Sequence, residues 1–389
     1  MNEKQQKVLA LTGIRSEYDL LFPLLEALDN HPEYDLGVIV SGAHLTPLHH
    51  YSVKQIERDG FRIVEKIESL LYSNSFLGKA KSSAILMSSL AQVLARENPD
   101  FLLLLGDREE AIVGSLTASF MNIPVIHLAG GDNTASEGGN VDEQVRHAST
   151  KLSHIHLTMM EEHSERIRKL GEEEWRIHTV GSAGVDRLRK VPHLSKQELA
   201  AILKQESMED YIILIYHPLS SNIEAAAAEM RLCIEESILT GKKLFIGMPN
   251  SDPGWQTVAD VINEYTSHPL VQIYRNLERN SFVNLLRHAK CLIGNSSLAI
   301  HEGAYLSLPA INVGERQRAR IAGSNVQFVS GTSDEIRNAL HKALNDHEYQ
   351  ASIERDKFIY GDGFMVEKSL DIFKSLPGKE QLLAKKITY

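Results

Sequence analysis

Short apolar runs alternate along the chain with longer segments whose apolar residues recur at helical spacing. Lys7–Leu11 (KVLAL) predicts a first strand, and Phe101–Leu105 (FLLLL) predicts a strand that is buried on both faces. Segments such as Glu17–Leu28 and Ser82–Arg96 show the pattern of amphipathic helices. Strands and helices that alternate with short joints predict a parallel sheet with right-handed crossovers.

The same pattern restarts in the second half of the chain. Val180–Pro192 contains two glycines, a proline and no clear period, which predicts a linker. Ser195 predicts the N-cap of a helix that starts at the next residue. The last predicted helix covers Phe364–Leu376, and we expect the charged tail Pro377–Tyr389 to fray.

The pattern therefore predicts two similar α/β domains, at 1–185 and 190–362, with a cleft between them. Ligands of parallel sheets bind where strands end and helices begin, so the informative residues are those that follow strands. Small polar and charged residues collect there in both halves. They are Arg15, Asp107, Arg108, Asp132, His217, Asn250, Asn295, Ser296, Ser297, Arg316 and Arg320.

Composition narrows the classes of function. The chain has 389 residues and a formal net charge of −10, which argues against nucleic acid or an anionic membrane as main partner. No apolar run reaches the roughly 18 residues of a membrane span, and the N-terminus shows no secretory signal. The two cysteines, Cys233 and Cys291, cannot form a disulfide framework, so we expect a cytoplasmic protein.

Several cofactor motifs are missing from the sequence. No G-x-G-x-x-G follows the first strand, which gives no support to nicotinamide or flavin binding. No P-loop motif occurs, and no D-x-D of the kind that holds a metal–nucleotide pair in sugar transferases. His154 and His156 share one strand face, but without a clear third ligand they favour structural roles over a metal site.

Gly294-Asn295-Ser296-Ser297 is the strongest candidate anion site. It opens a predicted helix, where backbone N–H groups and two hydroxyls suit a phosphate. The alternative is a plain serine N-cap. Arg316 and Arg320 follow the next strand and favour the phosphate, because they can bring positive charge to the same pocket.

Other candidates also have structural alternatives. Asp107 follows a buried strand and could face a ligand, or it could cap the helix that starts at Glu109. Arg15 could be an ordinary surface residue. His217 lies in an extended segment because Pro218 follows it, and a lone histidine is more often structural than catalytic.

Seven short motifs, which occur in a fixed order over nearly the whole chain, resemble one family. They are Thr12-Gly13-x-Arg15, Gly106-Asp107-Arg108, Asp142-Glu143-x-x-Arg146-His147-Ala148, His217-Pro218, Pro249-Asn250-x-Asp252, Gly294-Asn295-Ser296-Ser297 and Asn312-Val313-Gly314-x-Arg316-Gln317-x-x-Arg320. Together they are similar to the UDP-N-acetylglucosamine 2-epimerases, and specifically to the hydrolysing branch that feeds sialic and related nonulosonic acid synthesis. The resemblance implies the glycosyltransferase-B fold, with a C-terminal helix at 363–377 returning to the first domain.

The resemblance also implies roles for the candidate residues. The diphosphate of UDP would lie near Ser296 and Ser297, and Glu302 would hold the ribose hydroxyls. Arg108 and His217 would reach the phosphates. The sugar would lie near Arg15, Asp107 and Asp142. Family members remove the C2 proton and expel UDP, and water then adds to the resulting glycal. This chemistry needs no NAD or essential metal, so we expect no cofactor, and we expect a homodimer or homotetramer.

One departure from the family pattern stands out. Ala129 occupies a position at which the family often has a catalytic glutamate. The local groups that could compensate are Asp132 and Glu137. The change favours a different sugar, such as a 2,4-diacetamido sugar, or an altered activity.

Three other functions remain open at this stage. The chain could be a non-hydrolysing epimerase that returns UDP-linked product, although the Asp-Glu-x-x-Arg-His-Ala stretch favours the hydrolysing branch. It could be a glycosyltransferase of the same fold, or a nucleotide-sugar-binding protein without catalysis.

Overall fold

The computed structural model describes residues 5–47, 51–73, 75–133, 141–218, 223–249, 254–275 and 277–389. It divides into two compact units. The first contains Met1–Asp132, Val141–Asp186 and Gly363–Tyr389, and the second contains Arg187–Asp362. Within the described ranges, no helix is both long and apolar enough to span a membrane.

The N-terminal unit is built on a parallel sheet that has seven strands among the described residues. The strands are β1 (Gln6–Thr12), β2 (Tyr34–Ser41), β3 (Ile63–Ile67), β4 (Phe101–Leu105), β5 (Val125–Leu128), β6 (Ile155–Thr158) and β7 (Ile177–Thr179). The helices between them are α1 (Arg15–Asp29), α2 (Val53–Arg58), α3 (Phe76–Glu97), α4 (Glu109–Phe120), α5 (Val141–Leu152) and α6 (Glu161–Lys169). The strand order is β3-β2-β1-β4-β5-β6-β7.

Strand β4 shows why this sheet is a central layer. Phe101 and Leu103 pack into the apolar core on one face of the sheet, and Leu102 and Leu104 pack into the core on the other face. Alternate residues of a strand point to opposite faces, so a continuous apolar run such as FLLLL requires helices on both sides.

The C-terminal unit repeats this design with a parallel sheet of six described strands in the order β10-β9-β8-β11-β12-β13. Helix α7 (Ala183–Lys190) leads into it, and its helices are α8 (Lys196–Leu203), α9 (Ile223–Leu239), α10 (Trp255–Glu264), α11 (Arg279–His288), α12 (Leu298–Tyr305), α13 (Ser333–Asn345) and α14 (His347–Ser352). The strands are β8 (Tyr211–Ile215), β9 (Lys243–Gly247), β10 (Val271–Tyr274), β11 (Cys291–Gly294), β12 (Ala310–Val313) and β13 (Val326–Val329). Helices α15 (Met365–Ser375) and α16 (Lys379–Leu383) belong to the N-terminal unit.

The predicted α/β class is confirmed, and so is the predicted cap at Ser195. The hydroxyl of Ser195 accepts from the backbone N–H of Glu198, whose carboxylate accepts from the backbone N–H of Ser195. This reciprocal pair is a capping box.

Two expectations from the sequence are wrong. The segment predicted as a linker, Val180–Pro192, contains helix α7, because Val185 and Leu188 are buried and supply an apolar face. Its glycines, Gly181 and Gly184, lie before or in the first turn, where they do not break the helix. The prediction failed because it gave the two glycines more weight than the short run of apolar residues at helical spacing.

The tail Pro377–Tyr389, which we expected to fray, is anchored to the N-terminal unit. The buried guanidinium of Arg176 donates to the carbonyl of Leu382 at 2.8 Å. Lys385 Nζ lies 2.8 Å from the buried Glu172 carboxylate. Charged residues here make buried contacts instead of facing solvent, which a sequence pattern cannot reveal.

Candidate active site

A buried arginine joins two carboxylates at the carboxyl edge of the N-terminal sheet. Arg146 lies on α5 and is 1% exposed. Its Nη1 donates to Glu143 Oε2 at 2.6 Å, and its Nη2 donates to Asp107 Oδ2. Burial alone would lower the pKa of Arg146, but the carboxylates of Asp107, Asp132 and Glu143 outweigh burial and raise it. A permanent positive charge therefore lies between the two carboxylates.

The side chain of Asp107 does not cap helix α4, although the sequence left that role open. Helix α4 has Arg108 at its N-cap position, and no side chain caps it there. The Asp107 carboxylate instead binds Arg146 and keeps 27% of its side chain exposed. It is therefore held in place and still accessible, as a group that handles a substrate must be.

Glu143 is a candidate that sequence reasoning missed. Its second oxygen, Oε1, lies 2.9 Å from Nε2 of His147, so the carboxylate is held between His147 and Arg146. The i, i+3 spacing of Glu143 and Arg146 on one helix was visible in the sequence. Asp142, which the sequence favoured, is half-buried in the first turn of the same helix.

Asp132 lies in the segment that follows β5. It is 3% exposed, and its Oδ1 lies 3.4 Å from Nε2 of His163. The loop is tightly built, because Ala129 has a left-handed φ of 59° and a Cβ on Gly131 would meet the carbonyl oxygen of His163 at 2.3 Å. Asp132 is thus enclosed, unlike Asp107. Glu137, the other proposed substitute for the missing glutamate, lies outside the described residues.

The two N-terminal arginines of the candidate set are partly exposed. Arg15 begins α1, and its Nε lies 3.5 Å from Asp19. Arg108 has 40% of its side chain exposed, and its Nε lies 3.6 Å from Glu110. Both guanidinium groups therefore expose positive charge at the carboxyl edge of the N-terminal sheet.

Two buried acidic residues, Glu17 and Glu110, lie near these arginines. Glu17 accepts from the backbone N–H of Gly13 at 2.8 Å, and Glu110 packs against the Cα of the same glycine. Burial, with the nearby charge of Glu110, raises the pKa of Glu17 from 4.5 to about 8. Glu17 therefore keeps its proton near neutral pH and acts as a neutral hydrogen-bonding group.

The predicted anion site in the C-terminal unit is a shaped loop. Gly294 has φ of 128°, and a Cβ there would meet the carbonyl oxygen of Ile215 at 2.0 Å, so only glycine fits. Ser297 occupies the N-cap position of α12, but its side chain makes no capping hydrogen bond. Ser296 Oγ accepts from the backbone N–H of Leu298 at 3.3 Å. The plain N-cap alternative is therefore wrong for Ser297, whose hydroxyl is not used by the helix.

Asn295 holds the histidine loop against this site. Its Oδ1 accepts from the backbone N–H of His217 at 2.7 Å, and its Nδ2 donates to the carbonyl of His217 at 2.8 Å. At 1% exposure, Asn295 presents no open amide to a ligand. Arg316 Nη1 donates to the carbonyl of Asn295 at 3.0 Å, which brings one predicted cation to the loop.

The remaining C-terminal candidates contact other partners. Arg320 Nη1 lies 3.0 Å from Nε2 of His301 on α12. Glu302 is 5% exposed and forms an ion pair with Arg187 at 2.9 Å. Asn250 lies outside the described residues. The structure thus brings His217, Asn295, Ser296, Ser297 and Arg316 together, and Glu302 lies farther along α12.

The two histidines His154, just before β6, and His156, within it, have protein partners. His154 Nδ1 accepts from the backbone N–H of Val125 at 3.0 Å, and His156 Nε2 lies 3.1 Å from Glu172. Burial lowers the pKa of both imidazoles. Within the described part of the chain, no three His, Cys, Asp or Glu side chains form a metal-binding group.

The fold and these edges define a protein of two parallel α/β units, the architecture of nucleotide-sugar epimerases. The fold matches the crystal structure of UDP-GlcNAc 2-epimerase from Neisseria meningitidis bound to UDP-GlcNAc, with TM-score 0.81, 19% identity, and coverage of 95% of this chain and 100% of that one. It also matches a putative UDP-N-acetylglucosamine 2-epimerase from Listeria monocytogenes, with TM-score 0.80, 18% identity, and coverage of 95% and 96%.

Residues 26–374 match the UDP-N-acetylglucosamine 2-epimerase family model, and the chain belongs to that family. It is 33% identical to the UDP-N,N'-diacetylbacillosamine 2-epimerase (hydrolyzing) of Legionella pneumophila, over 98% of both chains. It is 29% identical to the GDP/UDP-N,N'-diacetylbacillosamine 2-epimerase (hydrolyzing) of Campylobacter jejuni, over 83% of this chain and 84% of the relative. Within the family it therefore falls in the hydrolysing branch.

Proposed function

We propose that this protein converts a UDP-2-acetamido sugar into UDP and the free sugar inverted at C2. The observation that carries the proposal is the pair of carboxylates, Asp107 and Glu143, that Arg146 holds at the carboxyl edge of the N-terminal sheet. Elimination and readdition at C2 need one group to accept a proton and one to return it, and positioned carboxylates serve both purposes.

The proposed reaction has two steps. A carboxylate takes the C2 proton, a double bond forms between C1 and C2, and the C1–O bond breaks so that UDP leaves with the electron pair. A proton then returns to C2 from the opposite face, the oxygen of water bonds to C1, and the water gives one proton to the carboxylate that has just donated to C2. Asp107 and Glu143 are the proposed proton acceptor and donor, and Arg146 keeps both in place.

The C-terminal unit provides the groups that we propose for UDP. The hydroxyls of Ser296 and Ser297 lie at the positive end of α12, with Arg316 hydrogen-bonded beside them. Backbone N–H groups, hydroxyls and a guanidinium together stabilise a diphosphate, and they stabilise it further as it departs. We propose that His217, which Asn295 holds in the same loop system, also reaches the phosphates.

We further propose that the preferred sugar carries acetamido groups at both C2 and C4. Two hydrolysing relatives are named for UDP-N,N'-diacetylbacillosamine. Ala129 supports the same choice, because a methyl group at a position where the family often has a glutamate leaves more room and removes a charge. We expect Asp107 and Glu143 to carry out the proton transfer in which that glutamate takes part in other members of the family.

Product analysis by NMR tests the proposal. The protein is incubated separately with UDP-N,N'-diacetylbacillosamine and with UDP-GlcNAc. We expect UDP and a free C2-inverted sugar, with faster turnover of the diacetamido substrate. A UDP-linked epimer would indicate the non-hydrolysing reaction. Turnover only with an added acceptor would indicate a glycosyltransferase, and binding without any product would indicate a non-catalytic binder.

We also propose that the protein forms a homodimer or homotetramer through the exposed apolar start of α3. Phe76 is 94% exposed and Leu77 is 65% exposed. Exposed apolar clusters mark interaction sites, and a two-fold pairing with a second copy is the commonest solution. Sedimentation velocity should show that Phe76→Ser shifts the protein towards monomer. The control Phe120→Ser, at a 73% exposed position on α4, should leave the assembly unchanged.

A further inference from the structure

We propose that Arg187 is a positioning residue: it orients the Glu302 carboxylate and opposes its protonation, and so makes the site prefer a ribose over a deoxyribose. The inference rests on the proposed function and on the role that the family resemblance implies for Glu302, which is to accept hydrogen bonds from the ribose hydroxyls of UDP. Arg187 lies in the segment that the sequence pattern predicted as a linker, so no motif pointed to it.

The two side chains form a buried ion pair within the C-terminal unit. Arg187 Nη2 donates to Glu302 Oε1 at 2.9 Å. Arg187 is 8% exposed and Glu302 is 5% exposed. A buried carboxylate without a cationic partner is costly, and removing one partner of such a pair leaves an uncompensated buried charge.

Electrostatics gives the pair a specific consequence. Burial raises the pKa of Glu302, and the charge of Arg187 and its hydrogen bond oppose that rise. A ribose hydroxyl donates best to an ionised carboxylate, since charge-assisted hydrogen bonds are about twice as strong as neutral ones. Without Arg187, the carboxyl would keep its proton to higher pH and would lose that advantage.

Hydrogen bonds from helix α11 fix the backbone next to Arg187. Arg287 on α11 donates to the carbonyls of Leu188 and Val191, the latter at 2.8 Å. Asn284 on the same helix donates to the carbonyl of Pro192 at 2.9 Å. The C-terminal end of α7 is therefore tied to α11, and Arg187 reaches Glu302 from a fixed position.

The pair also directs the carboxylate. Arg187 engages Oε1, and among the described residues no side chain donates to Oε2, which leaves that oxygen for a ligand. The carboxylate therefore has a single orientation, because the guanidinium of Arg187 holds one oxygen and the other oxygen can accept a hydrogen bond from a ligand. This is the arrangement expected of a group that distinguishes a 2′-hydroxyl from a hydrogen.

Calorimetry with two nucleotides tests the inference. UDP and 2′-deoxy-UDP are titrated into the wild type, Arg187→Gln, Arg187→Lys and Lys190→Gln, an exposed-charge control on the same helix. We expect Arg187→Gln to weaken UDP binding about tenfold while 2′-deoxy-UDP changes less than about twofold, the effect of one charge-assisted hydrogen bond. Arg187→Lys should recover part of the loss, and Lys190→Gln should match the wild type.

A pH series separates positioning from a purely structural role. In Arg187→Gln, UDP affinity should fall more steeply with decreasing pH than in the wild type, because Glu302 takes up a proton more readily without the charge of Arg187. Equal weakening of both nucleotides, or unchanged discrimination in Arg187→Gln, would overturn the inference. Failure of the wild type to bind UDP would instead overturn the proposed function on which it rests. If Arg187→Gln does not fold, the same comparisons on Arg187→Lys decide.

Discussion

The two units share a sheet design and differ in the chemistry at its edge. In both, the first strand lies inside the sheet, with the second and third strands on one side and the later strands on the other. The N-terminal edge presents the carboxylates of Asp107 and Glu143 around Arg146. The C-terminal edge presents the hydroxyls of Ser296 and Ser297 with Arg316. Ligands of parallel sheets bind at this edge, so we expect the few residues after each strand to decide what each unit binds.

A second contrast concerns helix caps. Asp107 precedes the N-cap residue of α4 and Ser297 is the N-cap residue of α12, yet neither side chain caps its helix. In contrast, Ser195 caps α8 with a full capping box, away from either candidate site. A polar residue at a helix start whose side chain does not bond to the helix keeps that side chain available for a ligand.

The largest expected effect comes from the N-terminal carboxylates. Asp107→Asn and Glu143→Gln should each lower kcat by roughly 10²–10⁴-fold, because an amide cannot accept a proton. UDP affinity, measured by calorimetry, should change little. Asp142→Asn is the matched comparison, since the sequence favoured Asp142 and the geometry favours its neighbour. Greater damage from Asp142→Asn than from Glu143→Gln would reverse that assignment.

The C-terminal hydroxyls should show the opposite pattern. We expect Ser296→Ala combined with Ser297→Ala to weaken UDP binding by about 2–4 kcal/mol, the loss of two hydrogen bonds to phosphate. The melting temperature should fall only slightly, because Ser297 does not cap α12 and Ser296 Oγ accepts a single hydrogen bond, at 3.3 Å, from the backbone N–H of Leu298. Wild-type UDP affinity in this double variant would refute the phosphate site.

Glu17 gives the N-terminal unit a pH dependence that can be measured without substrate. Its pKa is about 8 in the folded protein against an ordinary value of 4.5, so the folded state holds a proton that the unfolded state releases. Its contribution to stability is full below about pH 4.5 and is lost as pH rises towards about 8. Urea unfolding should therefore show Glu17→Gln gaining stability relative to the wild type between pH 5 and pH 8. A constant difference across that range would contradict the buried neutral carboxyl.

The smallest effect is expected at Ala129. A left-handed φ of 59° strains an alanine, and glycine relieves the strain at some entropic cost in the unfolded chain. Ala129→Gly should raise the free energy of unfolding by about 0.5 kcal/mol. Turnover should persist, because the methyl group takes no part in proton transfer. A large loss of turnover would show that the loop geometry at Ala129 itself matters.

Much of the fold could be predicted from the spacing of hydrophobic residues along the chain. The bounds of β4 agree with the predicted run, because a buried parallel strand is a continuous apolar segment. Short or partly exposed elements were not predicted: β3 and β13 have mostly half-buried residues and no strong period. Helix α7 escaped prediction because its glycines suggested a linker.

Candidate site residues could be proposed from the sequence where a motif marks the end of a strand, but not where only a tertiary contact suggests a role. Asp107 and Ser297 became candidates because they follow strands. Glu143 and Arg187 are marked only by the partners that the fold brings to them, Arg146 and Glu302. Asp132 looked equivalent to Asp107 in sequence, but the fold buries it beside His163.

The central claim is that the N-terminal carboxylates exchange the C2 proton of a UDP-2-acetamido sugar before water releases the free sugar. Turnover of UDP-N,N'-diacetylbacillosamine in deuterated water, followed by mass spectrometry of the free sugar, tests it most directly. The account predicts one deuterium at C2 of an inverted sugar for each UDP released, and almost no free sugar from Asp107→Asn or Glu143→Gln. Free sugar that lacks deuterium and retains its C2 configuration would contradict it, because UDP would then leave by simple hydrolysis.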